Sequence, residues 1–530
     1  MSYDRNNEYV DTPDASGLSS PAKRALLATA SGAVFAASKT WAAEPAQERR
    51  VNLNLLNRKN LNNWCEGMGA DETEQMRKAI AECNAAGVQV LECTTDAQYK
   101  WTGALELAPR LSIAGNGCKF LPQADGFKTM AAASDHGMTF YRDFWIDGGN
   151  TRENSAFQIA FDTALKRTHG IRFENLMIDN FFYGIQARSM WGSIIDKCKL
   201  YKNKFGVSFV GQCVSNTIRT SQIVSEVSTY GDRSIGVFVD YYVYSDGTGR
   251  RPEAIRLCDE TMVYGYDTNV FFNRCFHGSV TECDIDSSLR YGVRVAGCDG
   301  GMTIRSSYIG SVNGKAGPVT GISFDDLGAT NPASLRIEDN DLFFVGKPVA
   351  GSVAIYVGVN RTGKKVISGN DVGQGAGIET ALSLNAVSGA DISSNVLAGT
   401  LQSLKARAGG NNSYRRNTFN GAIARSGNRV RDWFDHNDGS TVTCYHGPIS
   451  MPAGANSVTL SLTRDLGLPG NPVTTPPASL LMVCQAFQYQ GDSGRGLVRA
   501  RYDEAGNIIV NTAAALNGAA GDIWVDMEAV

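Results

Sequence analysis

The sequence predicts an all-β chain wound as a parallel β-helix, and three columns of recurring residues predict it. The first column is a six-residue unit with an apolar residue at each end. The units begin at Phe173, Ile195, Ile218, Leu257, Val280, Ile304, Ile337, Ile367, Ile392 and Tyr414, and end at Ile178, Leu200, Ile223, Met262, Ile285, Ile309, Leu342, Val372, Leu397 and Phe419. Successive starts lie 22, 23, 39, 23, 24, 33, 30, 25 and 22 residues apart. A period near 22, rich in β-formers and without helical spacing, fits one coil of a solenoid, and the longer intervals must expel their surplus as loops.

The second column is the fourth residue of each unit: Leu176, Cys198, Ser221, Glu260, Cys283, Ser307, Asn340, Asn370, Asn395 and Asn417. Its last four members predict an asparagine ladder. Amides stacked about 4.8 Å apart bond one another and the bend backbone, which is a structural role and not a catalytic one. The third column pairs a small or polar residue with an aliphatic one: Gly184-Ile185, Gly206-Val207, Gly236-Val237, Asn269-Val270, Gly292-Val293 and Gly321-Ile322. It gives these coils a second strand-like face.

The elements follow in order. Residues 1–50 carry Ser19-Ser20-Pro21-Ala22-Lys23-Arg24 and then an Ala-rich apolar run of about fourteen residues, too short to span a bilayer. Two readings compete: a twin-arginine-like export signal, with Lys23 in place of the first arginine, and a short helix that anchors the chain to a partner assembly. Residues 51–130 hold a capping helix and the first coils. Gly69-Ala70-Asp71-Glu72-Thr73 precedes Met76, Ile80 and Cys83 at helical spacing, with acidic residues in the first turn and Gly87 as a stop. The strands VQVLEC and RLSIAGNGCKFLP come next. Residues 131–430 are the β-helix proper. Over 431–530 the markers stop and period-2 segments appear, with Gly506-Asn507 as a hairpin signal, so a C-terminal β-sandwich is expected.

Composition narrows the function. Fifty basic against 53 acidic residues give a net charge of −3, and no basic tract favours nucleic acid. The twelve cysteines show no CxxC or Cys/His spacing, so no metal or cofactor is expected; several fall in apolar strands, as buried thiols do, with secretory disulfides the alternative. The five histidines, His136, His169, His277, His436 and His446, are scattered without triad or metal spacing.

Gly69-Ala70-Asp71, the helix, the VQVL strand, LSIAGNG and coils with an asparagine ladder together resemble the pectate-lyase-like right-handed parallel β-helix superfamily, over roughly residues 65–425. With a short N-terminal anchor and a C-terminal β domain, the arrangement resembles bacteriophage tailspikes. That resemblance implies a homotrimeric virion protein, attached through its N-terminus to a phage tail or baseplate protein, which binds and usually cleaves a bacterial surface polysaccharide such as capsule or O-antigen. A secreted polysaccharide lyase or hydrolase and a non-catalytic glycan-binding spike are the rival readings.

Glycosidic hydrolysis needs two carboxylates. In TECDID, an inward Ile285 turns Asp284 and Asp286 outward together, with Glu282 expected on their face. A second set comes from the third column, where Asp240 and Asp325 each stand four residues past their glycine. Three coils separate them, or about 14 Å, so each would need a loop partner such as Asp326. The longest interval expels YYVYSDGTGRRPE, whose Tyr241, Tyr242 and Tyr244 are candidates for stacking on sugars and whose Arg250 and Arg251 are candidates for holding an acidic one.

Overall fold

The computed structural model describes residues 57–426 apart from 109, 130–138, 150–153, 160–166, 226–232, 313–316, 326–333, 359–362, 374–376, 408 and 410–411, and strands between 433 and 529. The segment expected over residues 1–50 lies outside the described residues.

Each coil contributes strands to three parallel ladders, here called sheets I, II and III in the order the chain meets them from Ile171 onward; I and II are joined through the long strands Ser112–Pro122, Thr139–Asp147 and Ile171–Asp179 into one 27-stranded sheet, and III is a 13-stranded sheet. Register fixes a continuous inward column in each. In sheet I it runs Tyr141, Phe173, Ile195, Ile218, Leu257, Val280, Ile304, Ile337, Ile367, Ile392 and Tyr414. In sheet III Ile185, Val207, Val237, Val270, Val293 and Ile322 stack in line, as the third column predicts. All of these side chains are buried in one elongated core.

Sheet II corrects one unit. Its inward column passes from Ile223 to Val263 to Ile285, and Met262 faces out opposite Asp284. The coil carries one extra bend residue: Asp259 and Glu260 both have positive φ where most other coils turn on a single such residue. The ladder position therefore falls to Thr261, fully buried, which donates to Cys258 O at 2.7 Å, and not to Glu260. The asparagine ladder forms as expected. Asn340, Asn370 and Asn395 each donate Nδ2 to the Oδ1 of the next asparagine, at 2.9, 2.9 and 2.8 Å. Each also donates to a sheet I carbonyl, that of Ile304, Ile337 or Ile367.

The glycines of the third column are required by close approach. A Cβ on Gly184, Gly206 or Gly236 would sit 2.6 Å from the carbonyl oxygen of the following coil. Asn269 interrupts the column and uses its side chain instead, accepting from Tyr266 N and donating to Asp286 O.

Helix α1, Thr73–Ala85, buries Met76, Ala79, Ile80 and Cys83 in the same core, against the first coils. At the other end, Thr443–Met451 pairs antiparallel with Gly521–Ala529, and Ser457–Leu460, Ile508–Thr512 and Val498–Tyr502 form a small antiparallel sheet. The hairpin signal at Gly506-Asn507 thus joins two strands that do pair, and the turn itself lies outside the described residues.

Ten described cysteines are free thiols, and all but Cys258 are buried. Burial pushes the Cys198, Cys213 and Cys283 thiols up to about 12, so the reactive thiolate is scarce at neutral pH. A disulfide-exchange reagent at pH 7.5 is expected to label few thiols in the native chain and to reach the rest only after denaturation. Rapid native labelling of Cys198 or Cys283 would contradict this burial.

Candidate active site and glycan-binding faces

Asp284 and Asp286 flank the fully buried Ile285 on strand Asp284–Ser288 of sheet II, and period-2 alternation turns both carboxylates outward. Two residues along one strand place their Cα atoms about 6.6 Å apart. Glu282 does not continue their row: it is an exposed bend residue at φ 55°, two residues before the strand begins. Cross-coil register builds the rest of the face. Asp284 lies beside Tyr308, then Asp341, then Asp371. Asp286 lies beside Tyr264, and on its other side Gly310 leaves room, since a Cβ there would come 2.5 Å from Asp286 Oδ1. Tyr264 and Phe343 are 40% and 42% exposed, so aromatic rings bracket the carboxylates.

The two acids differ electrostatically. Burial, and then the Asp286 charge, hold the Asp284 carboxyl above the usual range, and its Oδ1 is buried without a hydrogen-bond partner. Asp286 Oδ1 instead accepts the Ser287 N–H at 2.5 Å. Burial and the charges of Asp286, Asp341 and Asp284 push the Tyr308 phenol upward, which keeps it a donor. The arrangement offers two carboxyls in unlike surroundings, that of Asp284 held above the usual range, and a phenolic O–H on one open face.

The other predicted residues are dispersed. Asp240 ends a sheet III strand and accepts from Asn273 Nδ2 at 2.9 Å and Tyr241 N at 2.7 Å, with Arg274 at 3.2 Å. Register carries Asp240 through Asn273 and Ala296 to Asp325, three steps as expected. Asp326 lies outside the described residues. The expelled loop forms a hairpin, Tyr242–Val243 against Gly249–Arg250. Arg274 lies 5.0 Å over the Tyr241 ring and Arg188 4.0 Å over that of Tyr242. Tyr244 is only 2% exposed, and its hydroxyl bonds Arg188 O, Gln212 N and Ser189, so its ring anchors the hairpin instead of facing a sugar. Arg251 is tied to the fully buried Asp299, while Arg250 is exposed.

Sequence reasoning passed over a second acidic pair. Asp147 and Asp179 occupy adjacent rungs of sheet II, and the repeated Ile-Asp of Ile146-Asp147 and Ile178-Asp179 is the signal that finds them. Burial, then the Asp147 charge, push the Asp179 carboxyl up to about 7. Burial also raises Asp147, but bonds from Asn180 Nδ2 and Gly149 N and the Lys119 ammonium at 3.3 Å outweigh it and hold that carboxyl low. Asp179 is 4% exposed, too enclosed for a sugar, so its consequence is for stability. Between the unfolded value near 3.9 and about 7 the native state binds the extra proton, and stability falls as pH rises through that window. Asp179→Asn is expected to stabilise the fold more at pH 8 than at pH 5, by a difference on the order of 2 kcal/mol. Thermal melts at the two pH values check this, and an equal shift at both contradicts it.

Among the described residues no group of His, Cys, Asp and Glu converges to hold a metal, and no helix is long and apolar enough to cross a membrane.

No family model matches the chain. The tail spike protein of Shigella phage Sf6 is 26% identical over 187 residues, covering 35% of this chain and 30% of that relative, so the match spans under a third of the relative's length. Among solved structures, a mutant tailspike protein of E. coli bacteriophage HK620 in complex with pentasaccharide aligns with a TM-score of 0.50 at 8% identity, over 89% of this chain and 94% of that one. The same tailspike in complex with hexasaccharide gives the same TM-score and identity, over 89% and 93%. The chain thus shares sequence with one phage tailspike and the β-helix fold with another, and the resemblance drawn from its coils and ladder holds.

Proposed function

We propose that this chain is a tailspike that binds a bacterial surface polysaccharide and hydrolyses it at sheet II, with Asp284 as general acid and Asp286 as general base. The observation that carries the reading is the Asp284–Asp286 pair: two outward carboxyls on one strand, one of them desolvated and held toward its protonated form by the other. Asp284 delivers its proton to the glycosidic oxygen as the bond to the anomeric carbon breaks. Asp286 takes a proton from a water that attacks the opposite face of that carbon. Attack by water on that opposite face inverts the product anomer. Tyr308 donates to a sugar hydroxyl, and Tyr264 and Phe343 stack against ring faces. A trimer attached to the phage tail through residues 1–50, and closed by the strands of residues 431–530, would present this face to the bacterial surface.

Incubation of the chain with purified host capsule or O-antigen tests the reading. New reducing ends without ultraviolet absorbance at the wavelength of unsaturated uronates support hydrolysis. Unsaturated products would replace it by elimination, and binding without any product would leave an adhesive spike.

A further inference from the structure

The outward side of sheet III carries a second pattern that the hydrolytic pair does not use. Aromatic rings line up along the solenoid: Tyr183 stacks on Phe205 at 4.9 Å, Phe205 meets Phe238 at 6.0 Å, and Phe238 meets Phe271 at 5.8 Å. Arg294 continues the row, its guanidinium 4.7 Å over Phe271 and 4.9 Å over Tyr291. All of these side chains are partly exposed.

Beyond Arg294 the register column it shares with Phe238 and Phe271 runs through Ser323, Tyr356 and Ser383 to Lys405, along the floor of a groove of about 420 Å³. Arg407 and Asn385 share its far end. Among the described residues, no carboxylate lies within ion-pair distance of Arg294, Lys405 or Arg407, although the chain as a whole is slightly acidic. Three cations line a groove whose two described carboxylates, Asp325 and Glu379, make no ion pair with them, and they are placed for an anion from outside.

Among the described residues, the groove's two carboxylates do not form a close acid pair. Asp325 lies five residues along its strand from Thr320, and Thr320 is in register, through Val353, with Thr380, next to Glu379. That puts Asp325 and Glu379 at opposite edges, about 20 Å apart along the strand direction. The Glu379 carboxylate is in addition occupied by the Gly351 N–H.

We infer that this face is a second, non-hydrolytic carbohydrate-binding site, in which the aromatic row carries sugar faces and Arg294, Lys405 and Arg407 hold a carboxylate or phosphate borne by the glycan. Arg294, already braced between two rings, supplies a fixed fork for a planar anion, and Lys405 and Arg407 supply charge. From Tyr183 to Lys405 the face crosses nine strands, about 38 Å, so it engages a chain of sugars and not a single residue.

The test uses the full chain with Asp284→Asn, so that no probe is consumed, and reads binding alone. Calorimetry with oligogalacturonate, a phosphate-bearing mannan oligosaccharide and neutral dextran of matched length is compared with a Lys405→Ala/Arg407→Ala version, whose melting temperature reports that it still folds. At least one anionic probe is expected to bind, to weaken about 10-fold or more in the double variant, and to weaken with added salt; which probe does so separates carboxylate from phosphate. Equal binding of dextran, no loss in the double variant, or no binding by either anionic probe overturns the inference. So does a change of oligomeric state in the double variant by sedimentation, which would assign the groove to a second copy of the chain. Because no hydrolysis is measured, failure of the Asp284–Asp286 mechanism leaves this result unaffected.

Discussion

Asp284→Asn is expected to lower the rate of reducing-end release by about 100-fold or more, while binding of the polysaccharide changes little. The amide keeps the size of the carboxyl and loses the proton that the departing glycosidic oxygen needs. Asp286→Asn is expected to cost as much, because the attacking water then lacks its base. The two losses should not multiply in the double variant, since either one alone already removes the concerted path. The pH profile gives an independent readout. Asp284 is held above the usual carboxyl range by burial and by Asp286, so the alkaline limb of wild-type activity follows loss of its proton. Removing the Asp286 charge relieves one of the two causes and moves that limb toward lower pH in whatever activity remains. Full activity in Asp284→Asn, measured on an oligosaccharide of defined length, would remove the residue from the mechanism.

The second large effect concerns the ladder. Asn370 is 1% exposed, and its amide bonds the Ile337 carbonyl, Asn395 Oδ1 and both the N–H and Nδ2 of Asn340. Asn370→Ala leaves all of these buried partners without the amide that satisfies them. The expected loss is about 3 kcal/mol or more, read as a fall in the guanidinium midpoint. Thr261→Ala, at the same position of an earlier coil, removes one hydroxyl bonded to Cys258 O and is expected to cost about 1 kcal/mol. A loss at Asn370 no larger than that at Thr261 would mean the amides are not coupled as a ladder.

What the sequence made legible follows from what repeats. Inward positions recur in every coil because each must meet its neighbours at fixed spacing, so Ile285, Val293 and Asn370 could be placed before any coordinates. The exception is instructive. Met262 and Glu260 keep the six-residue spacing in the text, but an extra left-handed residue at the bend shifts the coil by one, and Val263 and Thr261 take the buried places. One inserted residue inside an otherwise regular unit leaves no mark in an apolar pattern when both Met262 and Val263 are apolar.

Outward residues were harder. The direction of Asp284 and Asp286 followed from alternation, but the company they keep, Tyr308, Asp341 and Phe343, lies 24 to 59 residues away and becomes adjacent only through register. Tyr244 and Arg251 looked available because they sit in an expelled segment. The hairpin that segment forms folds back and commits both to fixed partners. The cationic groove was invisible for the same reason as the Tyr308 row: Arg294 and the Lys405–Arg407 segment are far apart in the sequence and belong to one wall in space.

The glycines of sheet III, pressed against the carbonyl of the following coil, act as spacers that fix the distance between turns. Length in this molecule is therefore quantised. A duplicated turn that brings its own glycine and its own ladder residue can slot in like a tile, leaving both ends untouched, whereas a fraction of a turn would leave a carbonyl pressed against a side chain. Relatives that differ in reach should accordingly differ by whole turns, with their binding faces extended or trimmed in steps of one strand.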